Sequence, residues 1–293
     1  MKMVTGSEKK FDIFNNVIMF FVLLLCLYPF WYVFILSLSD VNQVDTSKIW
    51  IVPKAFTLMG YKIFFSNPKF IDALFVSVKR TVIGTLLSVL LNAMFAYALS
   101  KKNLIGRKLI SMFLLITMYF GGGLIPFFLL LKSLRLLNNF WGLVLPSLYG
   151  AWNIFVMRAY FTSSIPESLI ESAVLDGAND ITIFFEIVLP LSLPILATIA
   201  LFSAVGHWND WFTGQLIMTL GQGIPLSTLL MRILFGTQRM VALQISASAK
   251  VNLPPSETIK MAAVIVAMIP ILCVYPFLQK YFVKGIMIGA LKE

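Results

Sequence analysis

The sequence predicts an all-α membrane protein with six transmembrane helices, and three observations carry that prediction. Hydrophobic residues make up 59% of the 293 positions and charged residues 12%, against about 25% charged in soluble domains. Mean hydropathy is +0.89. The apolar residues gather into runs at about 13–37, 78–100, 109–131, 140–161, 191–213 and 261–282, each near the ~20 residues that carry a helix across a bilayer core. Together they read as a single transmembrane domain over residues 1–293.

The first run, "VIMFFVLLLCLYPFWYVFILSL", follows Lys9 and Lys10. It is too long for the apolar core of a signal peptide and no small-residue cleavage site follows, so it reads as a retained span. In the second run, Gly84, Ser88, Asn92, Ala96 and Ser100 recur every four residues along one helix face. Such a face either packs closely on another helix or lines a polar pathway, and Asn92 is the member hardest to explain by packing. The tight turn after it, "SKKNLIGRK", holds Lys101, Lys102, Arg107 and Lys108, which places it on the cytoplasmic side. Lys2, Lys9, Lys10, Lys280, Lys284 and Lys292 agree. An even number of spans puts both termini on that side too. The outer loops also carry Lys and Arg, so the short loop decides the orientation.

The net charge of +10 does not indicate nucleic acid, because no basic tract is long enough to follow a phosphate backbone. It fits membrane lipid, where Lys and Arg collect at helix ends. Cys26 and Cys273 lie in apolar runs, and His207 is the single histidine. No nucleophile–base pair and no multi-histidine metal site can be assembled from these, which argues against an enzyme.

Residues 163–190 stand apart: Glu167, Glu171, Asp176, Asp180 and Glu186 occur in one short stretch between oily neighbours. Ser164 and Glu167 fit an S-x-x-E capping box with Pro166 at the first helical position. A helix from there should run to about Leu175 and stop at Gly177. Asn179 or Asp180 can cap a second helix, and Pro190 and Pro194 mark entry to the fifth span. Two amphipathic helices joined at a glycine could lie on lipid, but an acidic surface is repelled by an anionic inner leaflet. A rigid acidic knob suits a basic groove on a cytoplasmic protein.

The segment "ESAVLDGANDITIFFEIVLP" resembles the EAA loop of binding-protein-dependent ABC importer permeases of the type I fold. Glu171, Ala173, Gly177, Ile187, Leu189 and Pro190 match that pattern at every spacing, and Ser172 replaces the usual middle Ala. "IPESLIESAVLDGA", which adds Asp176 and Ala178, is similar to the carbohydrate-uptake branch. "GGGLIPFFLLLKSLRLLNNFWGLVLP" resembles that branch as well, with Arg135 where the pattern has glycine. The ending "QKYFVKGIMIGALKE" is similar to the tail of the second permease subunit of maltose-type importers.

The resemblance implies a heterodimer with a second, homologous permease, two ATPase subunits that use ATP and Mg, and an extracellular or periplasmic solute-binding protein. It places the chain in the bacterial cytoplasmic (inner) membrane. It assigns Glu171 to a basic residue of the ATPase cleft and Gly177 to the turn that fits it. The tail from Phe282 to Glu293 either reaches the ATPase dimer or is a basic anchor. The chain has no G-x-x-x-x-G-K-[ST] loop, so it has no cradle of its own for nucleotide phosphates.

For the substrate pathway the candidates are Asn92, Lys79, Arg80, Trp208, Asn209, Asp210 and Trp211. An acid at membrane depth is costly unless it meets water or a partner. Trp208 and Trp211 suit sugar rings, and equally suit an interfacial aromatic belt. Basic residues on outer loops and span edges (Lys48, Lys54, Lys62, Lys69, Lys132, Arg135, Arg232, Arg239, Lys250 and Lys260) fit snorkelling and contact with an acidic binding protein, or an anionic saccharide drawn by the positive field. Several segments resemble the permease group that serves uronate oligosaccharides, including alginate importers. Neutral sugars, peptides and a secondary transporter remain as alternatives.

Overall fold

The computed structural model describes residues 6–40, 51–235 and 257–290; for residues 6–9 and 275–290 it describes the backbone alone. Lys2, Lys48, Arg239, Lys250 and Lys292 lie outside the described residues, as do the side chains of Lys9, Lys280, Lys284 and the tail from Phe282. Where the sequence reading has one domain, contacts gather the chain into two compact units. One is Met1–Pro68 with Arg232–Ile269, and the other is Lys69–Met231 with Pro270–Glu293.

The described residues are almost wholly helical. In the first unit, α1 spans Gly6–Ser37 and α2 spans Met59–Ser66. Most of α1 presents apolar side chains outward, with Leu25 76% exposed, as a helix does when its solvent is hydrocarbon. Its last turn is different: Ile35, Leu36 and Ser37 are buried. Ser37 Oγ lies 2.7 Å from the Tyr61 hydroxyl, and Thr258 donates to the Ser39 carbonyl at 2.7 Å. Gly60 permits this packing, because a Cβ there would lie 2.9 Å from the Thr258 carbonyl oxygen.

The second unit is built on α3, Pro68–Ser100. Its buried face includes Ser77, Arg80, Gly84, Ser88, Asn92 and Ala96, the helical spacing legible in the sequence. The next elements are α4 (Arg107–Tyr119), α5 (Leu124–Ser133), α6 (Phe140–Val144, continuing to Ser147 as a 3₁₀ turn) and α7 (Ala151–Ser164). Then come α8 (Glu167–Leu175), α9 (Asp180–Leu191), α10 (Leu193–Asn209), α11 (Phe212–Ile217) and α12 (Leu226–Phe235). The last helix, α13, runs Glu257–Ala290 and passes from one unit into the other.

Three helices are long and apolar enough to cross a membrane unbroken, and the count reaches six when each bent pair is one span. The expected span 109–131 is α4 and α5, bent by 114°. Its break is the glycine run Gly121–Gly123, where Gly123 takes φ +86, a conformation open to glycine at little cost. The span expected at 140–161 bends by 49° between Ser147 and Ala151, and the one expected at 191–213 begins at an 83° bend between Leu191 and Leu193. Hydropathy reads apolar length and does not register these backbone breaks.

Candidate functional site

The acidic stretch folds as α8, a tight turn and α9. The expected capping box does not form. Ser164 is the last residue of α7, so its backbone is helical and cannot take the extended shape of an N-cap. Pro166 takes that place instead (φ −62, ψ 133), and Glu167 is the first helical residue. With no capping role, the Glu167 carboxylate accepts from Lys102 Nζ at 2.6 Å.

α8 ends in a Schellman motif. The Gly177 N–H donates to the Val174 carbonyl and the Ala178 N–H to the Ala173 carbonyl, at 3.0 and 2.9 Å. This geometry needs a left-handed residue, and Gly177 supplies it at φ +85. Asn179 then caps α9, accepting from the Thr182 N–H at 2.9 Å. Within α9, Ile183–Val188 is a π-turn.

The structure separates the motif residues by environment. Ala173, Ala178, Ile187 and Leu189 pack against a core of Tyr97, Phe161, Ile165, Ile183, Phe184 and Val188. Glu171, Ser172, Asp176, Gly177 and Pro190 are exposed. At the tip, Leu175 is 88% and Ile181 70% exposed. Acids therefore surround an apolar point, while the other side is anchored.

The basic turn after α3 holds this knob from a second direction. Lys101 pairs with Asp180, and its Nζ sits 4.9 Å from the Tyr97 ring centroid. Tyr97 in turn meets Phe184 of α9 at 5.4 Å. Partial burial disfavours the Lys101 charge, but Asp180 and Tyr97 outweigh it, so its pKa lies above the ordinary 10.5. A groove of about 380 Å³ remains between this turn and α8, with Lys102, Glu167 and Glu171 on its walls.

The expected pathway residues lie elsewhere in the second unit, and the structure brings two of them together. Arg80 is fully buried. Its Nη2 meets Asp210 Oδ2 at 2.5 Å. Nη1 donates to the Asp210 carbonyl and Nε to the Leu143 carbonyl, both at 3.0 Å. Asp210 also accepts from the Thr213 N–H at 3.0 Å, and its carbonyl accepts from Ser227 at 3.1 Å. One buried guanidinium thus ties α3, α6 and the α10–α11 junction.

Asn92 is 1% exposed. Its amide nitrogen donates to the Ser88 and Leu148 carbonyls at 2.6 and 2.9 Å, and its oxygen accepts from the Gly150 N–H at 3.0 Å. It thereby bonds the backbone on both sides of the bend between α6 and α7. Gly84 lets α10 approach: a Cβ there would lie 2.5 Å from His207 Nε2. Trp208 and Trp211 diverge. Trp208 is buried beside an apolar recess of about 210 Å³ walled by α3, α10 and α13. Trp211 is 39% exposed and meets Phe212 edge to face. Asn209 is exposed, and Lys79 caps the Phe140 ring at 4.5 Å. The Arg80–Asp210 pairing was not legible in the sequence, since 130 positions separate the partners.

The second unit thus combines bent apolar helices with a separately anchored, exposed acidic knob. The chain belongs to the family described as binding-protein-dependent transport system inner membrane component, whose model matches residues 81–288. ATP hydrolysis in such systems is the work of a separate subunit. The chain is 43% identical over 286 residues to the polygalacturonan/rhamnogalacturonan transport system permease protein YtcP of Bacillus subtilis, covering 98% of this chain and 99% of that one. It is 30% identical over 293 residues to the galactooligosaccharides transport system permease protein GanQ of the same organism, covering 96% and 95%. A solved bacterial ABC transporter involved in the import of the acidic polysaccharide alginate contains a chain that superposes with a TM-score of 0.85. That chain is 32% identical, and the match covers 96% of this protein and all of that chain.

Proposed function

We propose that this chain forms half of the pathway of an ATP-driven importer for an anionic, uronate-type oligosaccharide. The observation that carries the mechanism is the knob, with Leu175 and Ile181 exposed among acids while Ala173, Ala178, Ile187 and Leu189 anchor its far side. In this reading Glu171 and Asp176 meet basic groups on an ATPase subunit, and the exposed apolar tip enters its cleft. ATP with Mg closes the ATPase pair; the anchored core then passes that movement to α3, α7 and α10. A second homologous permease completes the pathway, and a solute-binding protein delivers the cargo. The basic turn at 101–108 and both termini face the cytoplasm.

The cargo assignment is supported by two likenesses that run nearly the full length, to a permease named for polygalacturonan and rhamnogalacturonan and to an alginate importer. A cationic surround lowers the cost of moving carboxylates toward the membrane. The test is ATPase stimulation of the reconstituted complex by its binding protein loaded with oligogalacturonate, oligoalginate or maltooligosaccharide. Stimulation by uronate oligomers alone is expected. Equal stimulation by the neutral sugar removes the anionic assignment and leaves the importer intact.

A further inference from the structure

Among the described residues the same helix-ending motif closes α5 and α8, and α8 alone of the two uses glycine. α5 ends at Leu134. The Arg135 N–H then donates to the Lys132 carbonyl at 3.0 Å and the Leu136 N–H to the Leu131 carbonyl at 2.9 Å. This is the Schellman pattern that closes α8, and here the left-handed position is Arg135, at φ +56. A side chain at that position opposes the backbone geometry, which is why glycine dominates it. The usual inference from such a residue is that its side chain is needed for something.

The turn is otherwise built to hold still. Leu131 and Leu136 close on one another in a buried cluster with Leu143 and Ile217. Asn138, also left-handed at φ +53, receives the Leu220 N–H and donates to Thr219, both at 3.0 Å. Gly142 admits the turn, because a Cβ there would lie 2.2 Å from the Leu136 carbonyl oxygen. The Arg135 side chain takes no part in this. It is exposed and makes no hydrogen bond or ion pair among the described residues. Lys132, in the same turn, is exposed too. Counted as one span, the bent pair α6–α7 separates this turn from the knob and puts it on the opposite side of the membrane.

We infer that Arg135 is a docking residue for acidic side chains of the solute-binding protein. This rests on the importer reading above. A lone guanidinium in open water holds a small anion poorly. Against a protein surface that excludes water, Arg becomes one of the strongest anchors.

Arg135→Gly gives the decisive test, because it relaxes the backbone and deletes the guanidinium together. The reconstituted importer is titrated with its cognate solute-binding protein, loaded with trigalacturonate or with a neutral trisaccharide, at several salt concentrations. We expect the variant to melt no lower than the wild type. The half-saturating concentration of binding protein should rise about tenfold with either cargo, with a flatter salt dependence. Arg135→Gln, which keeps the strain and loses the charge, should give the same rise. Unchanged half-saturation in both variants overturns the inference. A rise confined to the uronate cargo also overturns it, since the guanidinium would then be reading the saccharide. A wild type whose ATPase ignores the binding protein sinks both this inference and the importer reading, whereas a responsive wild type with an unresponsive variant effect sinks this one alone.

Discussion

The Arg80–Asp210 pair is where a single side chain has the largest leverage. Arg80 is fully buried and Asp210 is 24% exposed, so deleting either partner strands a charge away from water. Arg80→Met or Asp210→Ala should each lower stability by about 3–5 kcal/mol, read as a loss of melting temperature in detergent. The double variant Arg80→Met with Asp210→Leu should recover most of that loss, because an apolar pair leaves no orphaned charge. A double variant as unstable as the singles would mean that the bonds to the Leu143 carbonyl and Thr213 N–H matter more than the charge. Gly84→Ala should cost about 1–3 kcal/mol by overpacking against His207. The sequence singles out Asp210 as an acid that must meet water or a partner, and Asn92 as the residue of its face hardest to explain by packing alone. Their partners were not readable, because Arg80 and Leu148 are brought to them by the packing of distant helices.

At the scale of elements, α8 and α9 matched their sequence signals where those signals are local. Gly177 ends α8 and Asn179 caps α9 because each acts through its own backbone or a neighbour's. The Ser164–Glu167 box failed because α7 runs on through Ser164, a length that depends on its tertiary packing. The π-turn of α9 left no mark in the sequence. Gly177→Ala should cost about 1 kcal/mol, since the site is sterically open and only φ resists. Gly177→Pro also removes the N–H that closes α8, and should leave ATP hydrolysis running without uptake. Glu171→Lys should uncouple in the same way, with normal expression and melting. Full coupled uptake by both would end the docking assignment for the knob. Lys101 adds a pH dependence. Its pKa is raised in the folded protein, so its contribution is complete below 10.5 and fades as pH rises through the raised value. Hydrogen-exchange protection factors in 180–191, which are corrected for the intrinsic rise of exchange with pH, should fall over that alkaline window in the wild type, and Lys101→Met should show the lower protection throughout.

For the molecule as a whole, the six apolar runs and the existence of a basic and an acidic turn were legible, since both are matters of composition alone. The bends at Gly121–Gly123, before Ala151 and at Ser192 were not, because they lie in the backbone and leave hydropathy unchanged. A transmembrane helix resists sliding along its own axis, because that drags polar ends into hydrocarbon. Tipping costs far less. α9 joins α10 at 83°, the geometry of a bell crank. On the proposed reading, thrust delivered along α9 by an ATPase would reach the span as a sideways torque about Ser192, the direction in which a bilayer lets a helix yield.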